Sequence, residues 1–260
     1  MERGLARSRD RARELIRSGA VKVDGASSSK PSAQIRDDSE IVVDDPRAHH
    51  VGRAAGKLEG ALKSFPKVTP RGARALDAGA STGGFTQGLL ERGARQVVAV
   101  DVGHGQLAEL VATDPRDVEY SGTDIRTVQP DDVGGPFDLA VADLSFISLR
   151  LVLPALAALT SPSGQILALV KPQFEAGRAA LDSRGVVRDP TLRAAAVADV
   201  VEAAEDVGLR CRGVAASEVP GAAGNAEFFL LLDSLAGAGL GLSEVRDAVL
   251  LNQPGREGRG

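Results

Sequence analysis

An α/β fold, built on a mostly parallel seven-stranded sheet with helices on both faces, is predicted by three observations. Short apolar runs alternate with helical patterns over most of the chain; a glycine-rich turn joins the first long run to a helix; and acidic or basic residues stand where several runs end. Such sheets bind ligands at the carboxyl ends of their strands. A small α+β unit precedes the sheet.

That unit is expected over residues 1–46. Ser8 caps a short helix running to about Ser18, with Ala12, Leu15 and Ile16 on one side, arginines on the other and Gly19 as the stop. Val21–Gly25 reads as a strand into a turn, Ala26–Ser32 as a polar loop and Glu40–Asp44 as a second strand. So short a unit buries little core alone. Residues 47–52, with His49 and His50, lack apolar periodicity and read as a linker.

The main domain is expected over residues 53–233. A helix near 55–64 leads into strands near 73–78, 96–101, 117–121, 137–143, 165–171, 210–216 and 227–232. Helices are placed near 84–92, 104–112, 149–159 and 190–207. Residues 234–260, rich in glycine and without a clear apolar face, read as a tail with a short helix near 243–250.

Composition narrows the function. Of 260 residues, 43% are hydrophobic and 25% charged, the balance of a soluble globular chain. Apolar runs stay well short of a membrane span, and the first residues lack a secretory signal's order, so a cytoplasmic location is expected. Cys211, the single cysteine, excludes an internal disulfide and any cysteine-built zinc site, and no metal is expected. The net charge is −4, yet residues 1–22 carry seven basic and three acidic side chains. Arg7, Arg9, Arg13, Arg17 and Lys22 therefore stand as candidate phosphate contacts on a basic arm, against the plainer reading of a solvated helix face.

Chemistry centres on Ala75–Thr86. Gly79, Gly83 and Gly84 let the chain turn sharply and offer backbone N–H groups at a helix start, and Asp101 ends the next strand, where an acidic group can grip ribose hydroxyls. The absence of a Gly-Lys-Ser/Thr triplet argues against a triphosphate-binding loop, and the spacing departs from the Gly-x-Gly-x-x-Gly of dinucleotide sites. S-adenosylmethionine, which has no pyrophosphate, suits the turn best; a dinucleotide enzyme is the alternative. The candidate cofactor residues are Asp77, Gly79, Ser81, Thr82, Gly83, Gly84, Phe85, Asp101, Asp124 and Asp143.

Asp143 and Lys171 end strands, and Glu227 opens one. A lysine and carboxylates in one crevice suit methylation of a hydroxyl, whose proton must be removed as the methyl transfers. Lys171 is the candidate for that task, Asp143 and Lys57 for orientation, and Glu227 for charge balance, with most of the acceleration coming from alignment. Phe146 or Phe174 could stack a base, although core packing is the simpler reading of each.

Gly4–Arg9, Asp77–Thr86, Asp101–Leu107, Ala142–Leu149, Val170–Glu175 and Gly224–Phe229 closely resemble the TlyA family, haemolysin-A-like ribosomal RNA 2′-O-methyltransferases related to the FtsJ group. The resemblance spans about residues 3–233 and implies a Rossmann-like methyltransferase domain behind a small RNA-binding domain. It also implies a Lys-Asp-Lys-Glu catalytic tetrad at Lys57, Asp143, Lys171 and Glu227, S-adenosylmethionine as donor and a cytidine ribose of ribosomal RNA as acceptor. Three features depart from the family: the RNA-binding module is shortened, the linker lacks the relatives' Arg-x-Trp, and His104 replaces a tyrosine beside Asp101. Other readings are a small-molecule methyltransferase derived from this family, which the 3% aromatic content favours, and a non-enzymatic haemolysin or RNA-binding protein.

Overall fold

A computed structural model describes residues 3–6, 9–45 and 50–252. The chain divides into two compact units, Met1–His49 and His50–Gly260.

In the first unit, α1 (Arg9–Arg17) is followed by β1 (Val21–Val23), β2 (Ala26–Ser27) and β3 (Ile41–Val43), with β1 central and antiparallel to both neighbours. Ser8, the expected cap, lies outside the described residues. The stop is as read: Gly19 takes φ +78°, and Ala20 N–H returns to the Leu15 carbonyl at 3.0 Å. Asp24 and Gly25 both take positive φ, as a two-residue hairpin turn requires, so the chain doubles back at once. The expected loop therefore begins as a strand, with Ala26 paired to Val23. Leu15 and Val21 are the buried apolar side chains among the described residues of this unit.

The second unit contains α2 (Ala54–Ser64), β4 (Arg74–Ala78), α3 (Gly84–Glu91), β5 (Gln96–Asp101), α4 (Glu109–Ala112), β6 (Asp117–Ser121) and β7 (Phe137–Ala142). These are followed by α5 (Leu153–Leu159), β8 (Thr160–Val170), α6 (Pro172–Glu175), α7 (Pro190–Asp206), β9 (Arg210–Ala216), β10 (Phe228–Asp233) and α8 (Leu242–Leu251). The sheet order is β6-β5-β4-β7-β8-β10-β9. Strands β4 to β8 pair in parallel, and β10 runs antiparallel to both β8 and β9. From β4 the chain moves outward to β5 and β6, then crosses back to β7, so the order reverses between β4 and β7. Ala78 and Ala142 are in register there, which sets the turns after the two strands side by side.

Strand alternation divides the core. Leu76, Val98, Ala140 and Ile166 join α5, α7 and α8 on one face, while Ala75, Val97, Leu139 and Leu167 join Leu58 of α2 and Leu89 of α3 on the other.

Four local expectations are corrected. The helix near 104–112 is confined to Glu109–Ala112, because Gly105 at φ +59° continues a turn that begins after β5. The helix near 149–159 is split into a 3-10 turn, Leu149–Leu151, and α5, where Pro154 sits in the first turn and needs no N–H partner. Strand β8 begins at Thr160 rather than 165, through a register shift against β7 that accommodates the added length.

The largest difference concerns residues 234–260, expected as a tail with a short helix near 243–250; the helix forms at Leu242–Leu251, but not as part of a loose tail. Instead α8 packs on α7, and Val245 and Val249 are fully buried in the core. The glycine-rich approach is fastened by Arg212, which pairs with Asp233 at 2.9 Å and donates to the carbonyls of Leu235 at 2.6 Å and Ala238 at 2.7 Å. Two apolar residues four apart suffice to bury one helix face, too weak a signal against the surrounding glycines. Residues 253–260 lie outside the described residues.

Candidate active site

The turn after β4 is shaped by close approach. Gly79 takes φ +89°, and a Cβ there would stand 2.7 Å from the Asp143 carbonyl oxygen, so the turns after β4 and β7 meet backbone to backbone. Gly83, at φ +86°, is the N-cap of α3. A Cβ on Gly84 would stand 2.9 Å from the Ala55 nitrogen, which brings the start of α2 onto the start of α3.

Asp77 is fully buried beneath this turn. Its Oδ2 accepts from the Thr86 hydroxyl at 2.7 Å, whereas its Oδ1 is buried without a hydrogen-bond partner among the described residues. Burial pushes this carboxyl up to about 7; the Thr86 hydrogen bond opposes that rise and the charge of Asp143 adds to it. Asp101 holds the outer side of the turn by accepting from Ser81 N–H at 2.9 Å and Gly103 N–H at 2.7 Å. Asp124 lies on a loop tied to the end of β5 by Thr123 N–H to the Asp101 carbonyl at 2.8 Å. Hydrogen bonds from Arg126 hold its carboxyl below the usual range, and the same guanidinium occupies both of its oxygens. His104 is exposed and rests against Gly122, where a side chain would collide with the imidazole.

Lys57, Asp143, Lys171 and Glu227, separated widely in sequence, form one connected group. Lys57 comes from the second turn of α2, Asp143 from the end of β7, Lys171 from the residue between β8 and α6, and Glu227 from the residue before β10. Lys57 Nζ is 2.7 Å from Glu227 Oε2 and 3.4 Å from Asp143 Oδ2. Lys171 Nζ is 2.6 Å from Asp143 Oδ1. The two short contacts lie off hydrogen-bonding directions, so Asp143 Oδ1 and Glu227 Oε2 are ion-paired without a directed bond. Lys57, Lys171 and Glu227 are buried, and Asp143 nearly so. Two cations and two anions balance within the group.

A cavity of about 230 Å³ opens between this group and the glycine turn. Of the expected residues it brings together Lys57, Gly79, Ser81, Thr82, Phe85, Asp143 and Lys171. Asp77, Gly83, Gly84, Asp101, Asp124 and Glu227 support or flank it without lining it. Gly52, Arg53, Ala54, Ala80 and Ser145 line it and were not singled out from sequence. Gly52 and Arg53 had been read as linker and as the residue beyond it; their signal is proximity to Lys57 in the chain. The signal for Ser145 is its place two residues after Asp143.

The loop after β7 also carries Phe146, which is 91% exposed at φ +64°. Its ring lies 5.4 Å from that of Phe174. Core packing is thus excluded for Phe146. On the small unit, Arg9, Arg13, Arg17 and Lys22 are all exposed, and Arg7 lies outside the described residues. Among the described residues, no helix is long and apolar enough to cross a membrane.

A family model for FtsJ-like methyltransferases matches residues 50–234, and a model for the S4 domain matches residues 2–41. The chain is 48% identical over 250 residues to the 16S/23S rRNA (cytidine-2′-O)-methyltransferase TlyA of Mycobacterium tuberculosis, covering 96% of this chain and 93% of that protein. It is 35% identical to the 23S rRNA (cytidine-2′-O)-methyltransferase TlyA of Campylobacter jejuni, over 69% of each chain. A solved structure of a Streptococcus thermophilus protein that carries the name hemolysin matches with a TM-score of 0.78 at 34% identity, covering 96% of this chain and 92% of that one.

Proposed function

The chain belongs to the TlyA family of FtsJ-like methyltransferases, and we propose that it transfers a methyl group from S-adenosylmethionine to the ribose 2′-hydroxyl of a cytidine in ribosomal RNA. The observation that carries this reading is the closed Lys57–Asp143–Lys171–Glu227 group beside the glycine turn.

The turn fits such a donor. Gly79 and Gly83 let the turn pack closely against the Asp143 backbone and against Leu107 and Val111, and the Oδ1 of Asp77, without a hydrogen-bond partner among the described residues, offers a buried acceptor under it. Asp77, Gly79, Ser81, Thr82, Gly83, Gly84, Phe85, Asp101, Asp124 and Asp143 would hold the molecule, with Phe85 as a floor fixed by its stacking on Phe229 at 6.2 Å. When bound, S-adenosylmethionine supplies a methyl group on a positively charged sulfur. Lys171 takes the hydroxyl proton of the acceptor as a neutral amine. Asp143 stands between the two lysines and fixes both, and Glu227 keeps Lys57 in place by offsetting its charge. Because Lys57, Lys171 and Glu227 are buried, these charges act strongly on one another.

The basic face of α1, with Arg9, Arg13 and Arg17, together with Lys22 and Arg7, contacts phosphates and positions the RNA without reading bases. Affinity should then fall steeply with salt. Phe146, exposed beside the site, presents a ring on which an unstacked base can lie.

The test supplies radiolabelled methyl donor with separate small and large ribosomal subunits, comparing the natural chain with Lys171→Ala. Label is expected in RNA, at an alkali-resistant position, and is expected to vanish in the variant. Label that survives Lys171→Ala sinks the chemical assignment. Donor binding without any labelled RNA points to a small-molecule acceptor.

A further inference from the structure

We propose that Ser145 is a further working residue of this site, the hydrogen-bond partner through which Lys171 returns its proton to solvent. The inference rests on the reading of Lys171 as proton acceptor.

Lys171 is buried, and its Nζ meets two groups among the described residues: Asp143 Oδ1 at 2.6 Å and Ser145 Oγ at 2.8 Å. These partners differ in kind. An ionised carboxylate only accepts, whereas a hydroxyl both accepts and donates. Ser145 therefore accepts from the ammonium form and, by rotating its proton, donates to the lone pair of the amine, with no change in heavy-atom position. Asp143 can serve the ammonium alone in this way.

Position adds to the argument. Ser145 is exposed, while Lys171, which lines the same cavity, is buried. The hydroxyl thus gives the buried amine a hydrogen-bonded partner that itself meets water. The loop that presents it is held at both ends. Asp143 N–H donates to the Ala78 carbonyl at 3.1 Å, and at the other end Glu175, with a side chain 1% exposed, accepts from Leu149 N–H at 2.7 Å and from the Ser148 hydroxyl at 2.5 Å. Between these anchors Phe146 is kept at φ +64°, a conformation that a non-glycine side chain holds only when its surroundings impose it.

The step is a proton transfer alone. One N–H bond of the Lys171 ammonium breaks as its proton passes to the Ser145 oxygen, and the original hydroxyl proton of Ser145 passes to a water molecule. Lys171 is left as the amine, Ser145 as the hydroxyl, and the positive charge resides on hydrated proton outside the cavity.

Ser145→Ala and Ser145→Thr in the full chain test this, with ribosomal RNA as acceptor and S-adenosylmethionine as donor. In Ser145→Ala, kcat should fall about tenfold, a part of what general-base catalysis contributes. KM for RNA, the thermal midpoint and donor affinity by titration calorimetry should stay unchanged. Threonine should restore most of the turnover, since it retains the hydroxyl. Unaltered kcat in Ser145→Ala overturns the proposal. So does a fall in kcat matched by a rise in KM or a loss of stability, which would make Ser145 a substrate contact or a structural residue. Lys171→Ala separates the two readings: if it keeps turnover, the Lys171 assignment fails and the relay falls with it, whereas an inactive Lys171→Ala beside a fully active Ser145→Ala removes the relay alone.

Discussion

Two groups of buried charge sit at opposite ends of the same strands, and they are built in opposite ways. At the amino end of β4, Arg74 donates to the Gln96 side chain at 2.7 Å, to the Gly135 carbonyl at 2.7 Å and to the Val133 carbonyl, and its guanidinium lies 4.4 Å over the Phe137 ring. Its donors meet fixed acceptors along proper directions. At the carboxyl end, Lys57, Asp143, Lys171 and Glu227 form ion pairs of 2.6 to 3.4 Å, yet two of their oxygens receive no directed hydrogen bond, and a cavity opens beside them. A saturated cluster holds the fold together and has nothing left to offer a ligand. A cluster of buried, ion-paired charges beside a cavity meets whatever enters that cavity, which makes it the candidate site.

The contrast is broken most directly by exchanging the damage. Lys171→Ala or Lys57→Ala should lower kcat on the order of 10²–10⁴-fold while calorimetry shows donor binding retained. Arg74→Met should do the reverse. It strands two carbonyls and a glutamine, so unfolding free energy should drop by about 3 kcal/mol in urea titration, with kcat per folded molecule unchanged. If Arg74→Met loses turnover while staying folded, the division between the two ends is wrong.

A smaller effect sharpens the working end. Gly79→Ala puts a Cβ 2.7 Å from the Asp143 carbonyl at a residue with φ +89°. About 1–3 kcal/mol of strain follows, and donor affinity should weaken by at least about tenfold in calorimetry, because the turns after β4 and β7 are forced apart.

Asp77 gives the smallest effect. Its carboxyl is raised to about 7 in the folded chain, against about 3.9 when unfolded. Between those values the folded state binds more protons than the unfolded one, so the contribution of this group is fully present below about pH 4 and is lost as pH rises through about 7. In Asp77→Asn, the decline of the urea midpoint from pH 5 to 7.5 should flatten relative to the natural chain. An identical decline in both would show that Asp77 is ionised throughout.

Much of the fold was legible. The strands of the large sheet were readable as apolar runs because both faces of a central parallel sheet are covered, and Ala75–Ala78, Val97–Val100 and Leu139–Ala142 are indeed buried throughout. Helix α8 was readable near 243–250, but its burial was not, because a face of two valines says little until α7 lies beside it. The 104–112 segment was misread because its apolar spacing outweighed Gly103 and Gly105, whose backbone conformation belongs to a turn. At the site, the four charged residues were found through strand ends and family resemblance. Ser145, although inside the Ala142–Leu149 segment that carries the resemblance, was not singled out, because one serine between Leu144 and Phe146 carries no pattern of its own.

The sequence by itself determined the alternation of strands and helices, the glycine turn and the identity of the charged residues, since each depends on residues near one another in the chain. Tertiary structure alone decided that Lys57 and Glu227, 170 positions apart in sequence, stand 2.7 Å from each other, that Asp143 divides its oxygens between two lysines, and that the cavity opens beside this group and not beside Arg74's acceptors. Those facts turn on distance and direction between side chains from separate elements, which no local pattern encodes and which only the packing of those elements fixes.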